Sequence, residues 1–292
     1  MQCAGKVAVI TGGASGIGRG TALAMARRGA DVVIADINDR RLEETRVDLA
    51  TLGRRVLAVH CDVAQDADVE HLGETALRVM GRVDILMNNA GVVLRGALEQ
   101  IPVADWEWSF GINLLGVVRG IRTFLPHMLE RGSGYIINTG SVAGLIALTG
   151  EGAPYVASKF AIVGLSEALA LYARPRGIGV SVLCPGSVDT NLYETERVVG
   201  MTPESALAEA ASTTVFHSVL MTPDQIGEIV VEAVRQNRFF ILPDFGQQDV
   251  ILTQVRLALQ LSEGVKNFRS RRMFPKRITE FIRPCIRSGV IA

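Results

Sequence analysis

Tyr155 and Lys159 stand four residues apart in Tyr155-Val156-Ala157-Ser158-Lys159. At that spacing both side chains project from one face of a helix. An ammonium beside a phenol favours the phenolate and lowers a pKa that is ordinarily ~10. A tyrosine so poised exchanges a proton with an alcohol or carbonyl near neutral pH. Ser141, in Gly140-Ser141-Val142-Ala143-Gly144, can hydrogen-bond the same substrate oxygen. Standing alone, the Tyr-x-x-x-Lys pattern more often marks an ordinary helix start with a packed Tyr and a solvated Lys.

A second chemical signal lies near the start. Thr11-Gly12-Gly13-Ala14-Ser15-Gly16-Ile17-Gly18 follows the apolar run Val7–Ile10 and leads into helical spacing that closes at Gly29. Strand, glycine turn and helix open a nucleotide-binding βαβ unit. Glycines admit a pyrophosphate close to the backbone, and the helix N-terminus offers it N–H groups and a positive dipole end. A tight connection without a ligand uses the same residues. Asp31–Ala35 reads as the second strand, and Asp36 at its end lies 18 residues past Gly18. A carboxylate there can hydrogen-bond the adenosine ribose hydroxyls and repel a 2′-phosphate, which favours NAD over NADP. Asp36 can instead cap the helix beginning near Asn38. Arg40 and Arg41 are close enough to tolerate a phosphate.

The elements that must position these residues alternate. Strands are expected at Val56–His60, Val83–Met87, Tyr135–Asn138, Val180–Leu183 and Phe239–Leu242, with helices at 64–80, 104–131 and 155–173 between them. This order predicts an α/β fold: a Rossmann-type, doubly wound parallel sheet of about seven strands in three αβα layers. Ligands in such sheets sit beyond the carboxyl ends of the strands. With 292 residues and 48% hydrophobic content the chain can build one large domain. Zero formal net charge gives no reason to expect nucleic acid. Cys3, Cys61, Cys184 and Cys285 are scattered, and His60, His71, His127 and His217 show no ligand spacing, so no metal is expected. No signal peptide and no run of membrane-spanning length is read, and a cytoplasmic location is expected.

The chain resembles the short-chain dehydrogenase/reductase family over about residues 4 to 245. The resemblance rests on Thr11-Gly12-x-x-x-Gly16-x-Gly18, Asp62, Asn88-Asn89-Ala90-Gly91, Asn113, Ser141, Tyr155-x-x-x-Lys159 and Pro185-Gly186, in the family's order. It implies Tyr155 as general acid/base, with Lys159 lowering its pKa and holding the nicotinamide ribose. Ser141 would orient the substrate oxygen. Asn113 would interrupt its helix and hold a water that continues a proton relay from Lys159. Gly12, Ser15, Gly16, Ile17 and Gly18 would cradle the pyrophosphate, and Asp36 would take the ribose. Asp62 and Val63 would meet the adenine edge. Asn89, Ala90 and Gly91 would line the cofactor, and Pro185, Gly186, Val188 and Thr190 would meet the nicotinamide carboxamide. Ser15 occupies a position where NADP-using members often carry a basic residue. Ser141 and Tyr155 are 14 residues apart, one more than the family pattern, and the loop Leu148–Pro154 can absorb the extra residue. Glu151 in that loop could reach the substrate entrance.

Substrate choice is expected between Ser187 and about Pro223, with Asn191-Leu192-Tyr193, Val198–Met201 and Ala206–Phe216. Val142, Leu145, Ile146 and Leu148, with Val93 and Leu94 across the cleft, form an apolar candidate lining, although such residues can also simply pack on the domain. That lining suits a hydrophobic secondary alcohol or ketone of steroid, terpenoid or aliphatic type. Residues 246–292 form a basic, amphipathic extension: from Gly264 to Ala292 there are eight Lys or Arg against Glu280 alone. Packing on the body or on another subunit ranks before contact with an anionic membrane surface. The resemblance implies a homo-oligomer, a tetramer or dimer, built through the helices at 104–131 and 155–173. The leading function is an NAD-dependent dehydrogenase. The alternatives are an NADPH-dependent reductase of 3-oxoacyl thioesters and an NAD-binding regulator without turnover.

Overall fold

The first apolar run becomes β1 (Val7–Thr11), with all five residues buried. Alternation sets its two faces: Ala8 and Ile10 join one core cluster, Val7 and Val9 the other. A strand buried on both sides belongs inside a parallel sheet. The computed structural model describes residues 1–147, 150–201 and 220–243. Leu148, the Ala206–Phe216 stretch and the extension at 246–292 lie outside the described residues.

Helix α1 (Gly16–Arg27) leads to β2 (Asp31–Asp36), α2 (Asp39–Ala50), β3 (Val56–His60), α3 (Asp66–Met80) and β4 (Ile85–Asn88). The short β5 (Leu94–Gly96) precedes α4 (Val103–Asn113), α5 (Leu115–Arg131), β6 (Gly134–Thr139), α6 (Ala153–Ala173) and β7 (Ile178–Leu183). β8 (Arg197–Val199), α7 (Pro223–Arg235) and β9 (Phe240–Ile241) complete the described elements. Seven strands form a sheet in the order β3-β2-β1-β4-β6-β7-β9, and every neighbouring pair is parallel. One face carries α1 and α7, the other α3, α5 and α6. The three-layer doubly wound architecture is as expected.

Strand order reverses between β1 and β4, which opens a crevice at their carboxyl ends. The glycine turn follows β1 and Asn89-Ala90-Gly91 follows β4, so both sit at that crevice. Helices α1 and α7 meet backbone to backbone. A Cβ on Gly20 would lie 2.2 Å from the Pro223 oxygen, and one on Gly227 would lie 2.3 Å from the Gly20 oxygen.

Three details refine the sequence reading. The helix expected over 104–131 is two, broken at Leu114, where φ is −100° and ψ −56°, directly after Asn113, where the resemblance implied an interruption. The residue before the break, Asn113, is tied by its side chain to the backbone of Val92. The small β5–β8 pair and α7 were not anticipated. For α7 the signal was present as Thr222-x-x-Gln225, a capping box whose two side chains each bond the other's backbone. Finally, α6 with the turn after it is long and apolar enough by composition to cross a membrane, contrary to the expectation that no run approached that length. Its apolar residues Ile162, Leu169, Ala170 and Ala173 are buried within the domain.

Candidate active site

The chain leaves β1 through Gly12 at φ +61°, an angle that favours glycine. A Cβ there would sit 2.9 Å from Ala90 Cα, and one on Gly18 would sit 2.1 Å from the Gly12 oxygen. Glycine is what lets this turn close on itself and on the end of β4. Ser15 precedes α1 without a side-chain capping bond. The first-turn N–H groups, those of Gly16, Ile17 and Gly18 among them, have no acceptor within the helix and stand at its positive end. This cradle fits a pyrophosphate.

Asp36 closes the loop from below. Its Oδ2 accepts the Ala14 N–H at 3.2 Å and its Oδ1 accepts the Asn38 N–H at 3.1 Å. The capping reading of Asp36 does not hold, because the N-cap of α2 is Asn38, whose Oδ1 accepts the Arg41 N–H at 3.1 Å. Arg40 pairs with Glu44 on its own helix at 2.8 Å, and Arg41 pairs with Glu194. Both guanidinium groups are therefore already matched to carboxylates.

Beyond β4, buried amides lock the strand ends together. Thr11 Oγ1 accepts the Asn89 and Ala90 N–H groups at 3.0 and 3.2 Å. Asn89 Nδ2 donates to the Thr11 and Gly12 carbonyls, both at 3.2 Å, and Asn89 Oδ1 accepts from Thr139 Oγ1 at 3.3 Å. The Asn89 side chain thus faces the protein, buttressing the cleft. Asn88 Nδ2 donates to Asn138 Oδ1, and Asn138 Nδ2 to Ser166 Oγ, which carries the lock into α6.

The chemical cluster gathers where β6 ends and α6 begins. Ser141 is buried and extended, and its Oγ accepts the Ala143 N–H at 3.1 Å. It also hydrogen-bonds the half-buried Tyr155. Lys159 is buried, donates Nζ to the Thr139 carbonyl at 3.0 Å, and lies 5.4 Å from the Tyr155 ring centre. Burial pushes the Tyr155 phenol up to about 12, with the Ser141 bond acting against it. Burial pulls the Lys159 ammonium down to about 8. In the protein by itself desolvation dominates both groups, and the ammonium sits over the ring.

Asn113 is fully buried. Its Oδ1 accepts the Val92 N–H at 2.8 Å, and its Nδ2 donates to the Val92 carbonyl at 3.0 Å and to Ser158 Oγ at 3.1 Å. Both amide hydrogens are spent on protein partners, so any water held at this residue must come to another of its atoms. Ser158, which sequence reasoning passed over, relays Asn113 to the Tyr155 carbonyl at 2.7 Å. Its signal was a polar residue inside Tyr-x-x-x-Lys on an otherwise apolar helix face. Gly91 lets the chain pass closely, since a Cβ there would lie 3.1 Å from Asn113 Oδ1 and 3.6 Å from Lys159 Nζ.

The remaining residues frame the cleft. The Pro185 carbonyl accepts the Val142 N–H at 3.0 Å, which joins the β7 end to the Ser141 loop beside Gly186. Val188 pairs with Met221 and packs on the core, and Thr190 caps the turn at Asn191–Thr195. Asp62 Oδ1 accepts the Ala64 N–H at 2.9 Å, while the Val63 side chain packs where a Cβ on Gly116 would stand, 2.9 Å away. Among the expected substrate-lining residues Leu94 has no exposed surface and belongs to the core. Val93, Val142 and Leu145 are nearly buried, and Ile146 is half-buried. The Glu151 side chain is exposed, while its carbonyl accepts the Gly96 N–H.

Comparison with known proteins agrees with this geometry. The family model described as short chain dehydrogenase matches residues 6–198. The chain is 37% identical over 231 residues to 3beta-hydroxysteroid dehydrogenase 2 of Eggerthella lenta, covering 76% of this chain and 85% of that protein. It is similar to the crystal structure of a short chain dehydrogenase/reductase from Burkholderia phymatum in complex with NAD. There the TM-score is 0.80 at 34% identity, over 89% of this chain and 96% of that one. It is also similar to an alcohol dehydrogenase from the archaeon Thermococcus sibiricus complexed with 5-hydroxy-NADP. That TM-score is 0.68 at 28% identity, over 81% and 95% of the two chains. With the sheet, the glycine turn and the Ser141–Tyr155–Lys159 cluster in place, the chain belongs to the short-chain dehydrogenase/reductase family of nicotinamide-dependent oxidoreductases acting on CH–OH groups.

Proposed function

We propose that this enzyme uses NAD to interconvert a hydrophobic secondary alcohol and its ketone, with Asn113, Ser141, Tyr155 and Lys159 as the catalytic group. The observation that carries the reading is buried Lys159, bonded to the Thr139 carbonyl and set 5.4 Å from the Tyr155 ring centre, with Ser141 acting on the same phenol. Bound in this cleft, the cofactor supplies the hydride acceptor for oxidation or the donor for reduction.

The chain's own residues handle the oxygen and its proton. Tyr155 Oη takes the hydroxyl proton in oxidation and returns it in reduction. Ser141 Oγ holds the same oxygen and steadies its developing charge. Lys159 spends one of three N–H donors on Thr139, which leaves two for the ribose hydroxyls and the proton relay. Asn113 fixes the Val92 backbone and, through Ser158, the first turn of α6 that carries Tyr155. Gly12, Ser15, Gly16, Ile17 and Gly18 hold the pyrophosphate and Asp36 the adenosine ribose. Asp62, Val63, Asn89, Ala90, Gly91, Pro185, Gly186, Val188 and Thr190 line the rest. The Asp36 carboxylate and the paired state of Arg40 and Arg41 support NAD over NADP.

The substrate class is supported by the apolar Val142, Leu145 and Ile146 beside Ser141 and by Tyr193, an exposed ring in the turn that follows Thr190. A homo-oligomer is part of the same proposal, because α5 and α6 leave Leu115, Phe160, Leu171 and Tyr172 exposed, Leu171 at 81%. Residues 246–292 are proposed as a C-terminal basic extension that follows the catalytic domain in the chain.

The test is NADH formation by the full chain over a panel of steroid, terpenoid and aliphatic secondary alcohols, with Tyr155→Phe in parallel. Turnover is expected for the wild type, falling by about 10²-fold or more in the variant. Wild-type rates retained in Tyr155→Phe would overturn the proton-transfer assignment.

A further inference from the structure

A strap of chain crosses from the glycine turn to α2. At one end, Thr190 lies against Gly16, where an added Cβ would come 3.1 Å from Thr190 Cβ and Cγ2. At the other end, in the turn Asn191–Thr195, Glu194 Oε2 and Oε1 accept from Arg41 Nη2 at 2.8 and 3.1 Å. The two residues are 153 positions apart in the chain. Asn191 Nδ2 holds the same carboxylate at 2.5 Å, and these hydrogen bonds keep the Glu194 carboxyl below its ordinary pKa.

Arg41 stands in the first turn of α2, next to the loop that would read the adenosine ribose. Asp36 Oδ1 accepts the Asn38 N–H, and Asn38 Oδ1 accepts the Arg41 N–H, so the three residues are linked in sequence by hydrogen bonds. Arg40, next to it, is turned to Glu44 on the solvent side of α2, with its own side chain 72% exposed. Arg41 is more covered, at 26% exposed, and points to the strap. A guanidinium placed there is the group a 2′-phosphate would seek, since planar cationic donors match phosphate oxygens. Its charge is met instead by Glu194.

We propose that Glu194 is a specificity-determining residue, acting through Arg41: by engaging that guanidinium it withholds a phosphate partner from the adenosine end of the cleft and disfavours a 2′-phosphorylated cofactor. The effect adds to repulsion by Asp36 and comes from a segment 153 positions further along the chain than Arg41. The inference rests on the dinucleotide reading of the cleft.

The experiment measures binding of ADP-ribose and 2′-phospho-ADP-ribose to the full chain by calorimetry at low salt. It compares wild type, Glu194→Gln, Arg41→Gln and the double variant. Wild type is expected to prefer ADP-ribose. Glu194→Gln should tighten the 2′-phosphate ligand by about three- to tenfold, as one freed, partly exposed cation allows. Binding of ADP-ribose should change by less than about twofold, because it presents no 2′-phosphate to the freed cation. The gain should vanish in the double variant. An unchanged preference in Glu194→Gln, or a gain that persists without Arg41, would overturn the proposal while leaving the dinucleotide site intact. A wild type that binds neither ligand would overturn the dinucleotide reading itself, and a wild type that prefers the 2′-phosphate ligand would overturn the discrimination.

Discussion

Asn113 and Val92 are clamped by two hydrogen bonds: Val92 N–H to Asn113 Oδ1 at 2.8 Å, and Asn113 Nδ2 to the Val92 carbonyl at 3.0 Å. The clamp joins the end of α4 to the segment leaving β4, beneath Lys159 and Tyr155. Replacing Asn113 with Ala leaves a buried N–H and C=O unpaired and releases Ser158. The expected cost is about 2–3 kcal/mol of stability, read by urea unfolding. A loss in kcat larger than the loss in substrate affinity should accompany it. An Asn113→Ala protein with wild-type stability and kcat would show that the clamp is dispensable.

The Ser141 hydrogen bond opposes burial at Tyr155, whose phenol stands at about 12. Removing it in Ser141→Ala raises that pKa further. Oxidation needs the phenolate, so its rate climbs with pH, and the climb should move to higher pH in the variant. Reduction needs the protonated phenol and should keep its rate to higher pH. Paired pH–rate profiles for the two directions check this. A shift toward acid in Ser141→Ala would contradict the assignment.

Gly18 tolerates no side chain, because a Cβ would stand 2.1 Å from the Gly12 oxygen. That neighbour is backbone and cannot swing aside. Gly18→Ala should cost about 1–3 kcal/mol from overpacking. It should also weaken NAD binding by about tenfold or more, as misplaced backbone donors do. Calorimetric titration with NAD and a thermal melt measure both.

At the opposite, amino-terminal ends of the strands, Asp84 is fully buried and receives Arg82, Arg131 and the Val7 N–H. Burial would raise its pKa, but the two arginines and the backbone donor together outweigh that and hold it below the ordinary value. A carboxyl depressed in the folded state stabilises the protein above its unfolded pKa of ~3.9. That contribution is lost as pH falls through the folded pKa. Asp84→Ala should destabilise by about 1–3 kcal/mol at neutral pH, because the buried Val7 N–H and the partly exposed Arg82 and Arg131 lose their carboxylate partner. The difference from wild type should shrink in acid. Because Asp84 lies away from the crevice, kcat of the folded fraction should be unchanged.

The features legible in the amino-acid order are those whose physics is local. Alternation and apolar runs placed the seven sheet strands within a few residues. The glycine spacing placed the turn after β1, and four-residue spacing put Tyr155 and Lys159 on one turn of α6. Each is a property of a short window, where period and steric freedom act directly on the backbone. Other features depend on pairing between distant parts of the chain and emerge only in the folded protein. Asn113 meets Val92 and Ser158 because α4 stops where its side chain is held, and a window covering 104–131 reads as one continuous helix. Asp36 braces the Ala14 turn instead of capping α2, because parallel pairing of β1 with β2 brings the two loops side by side. Lys159 and Tyr155 have displaced pKa values because other elements bury them, which their spacing does not encode. Arg41 meets Glu194 across 153 positions, an encounter that exists only once the chain beyond β7 has folded back beside the glycine turn.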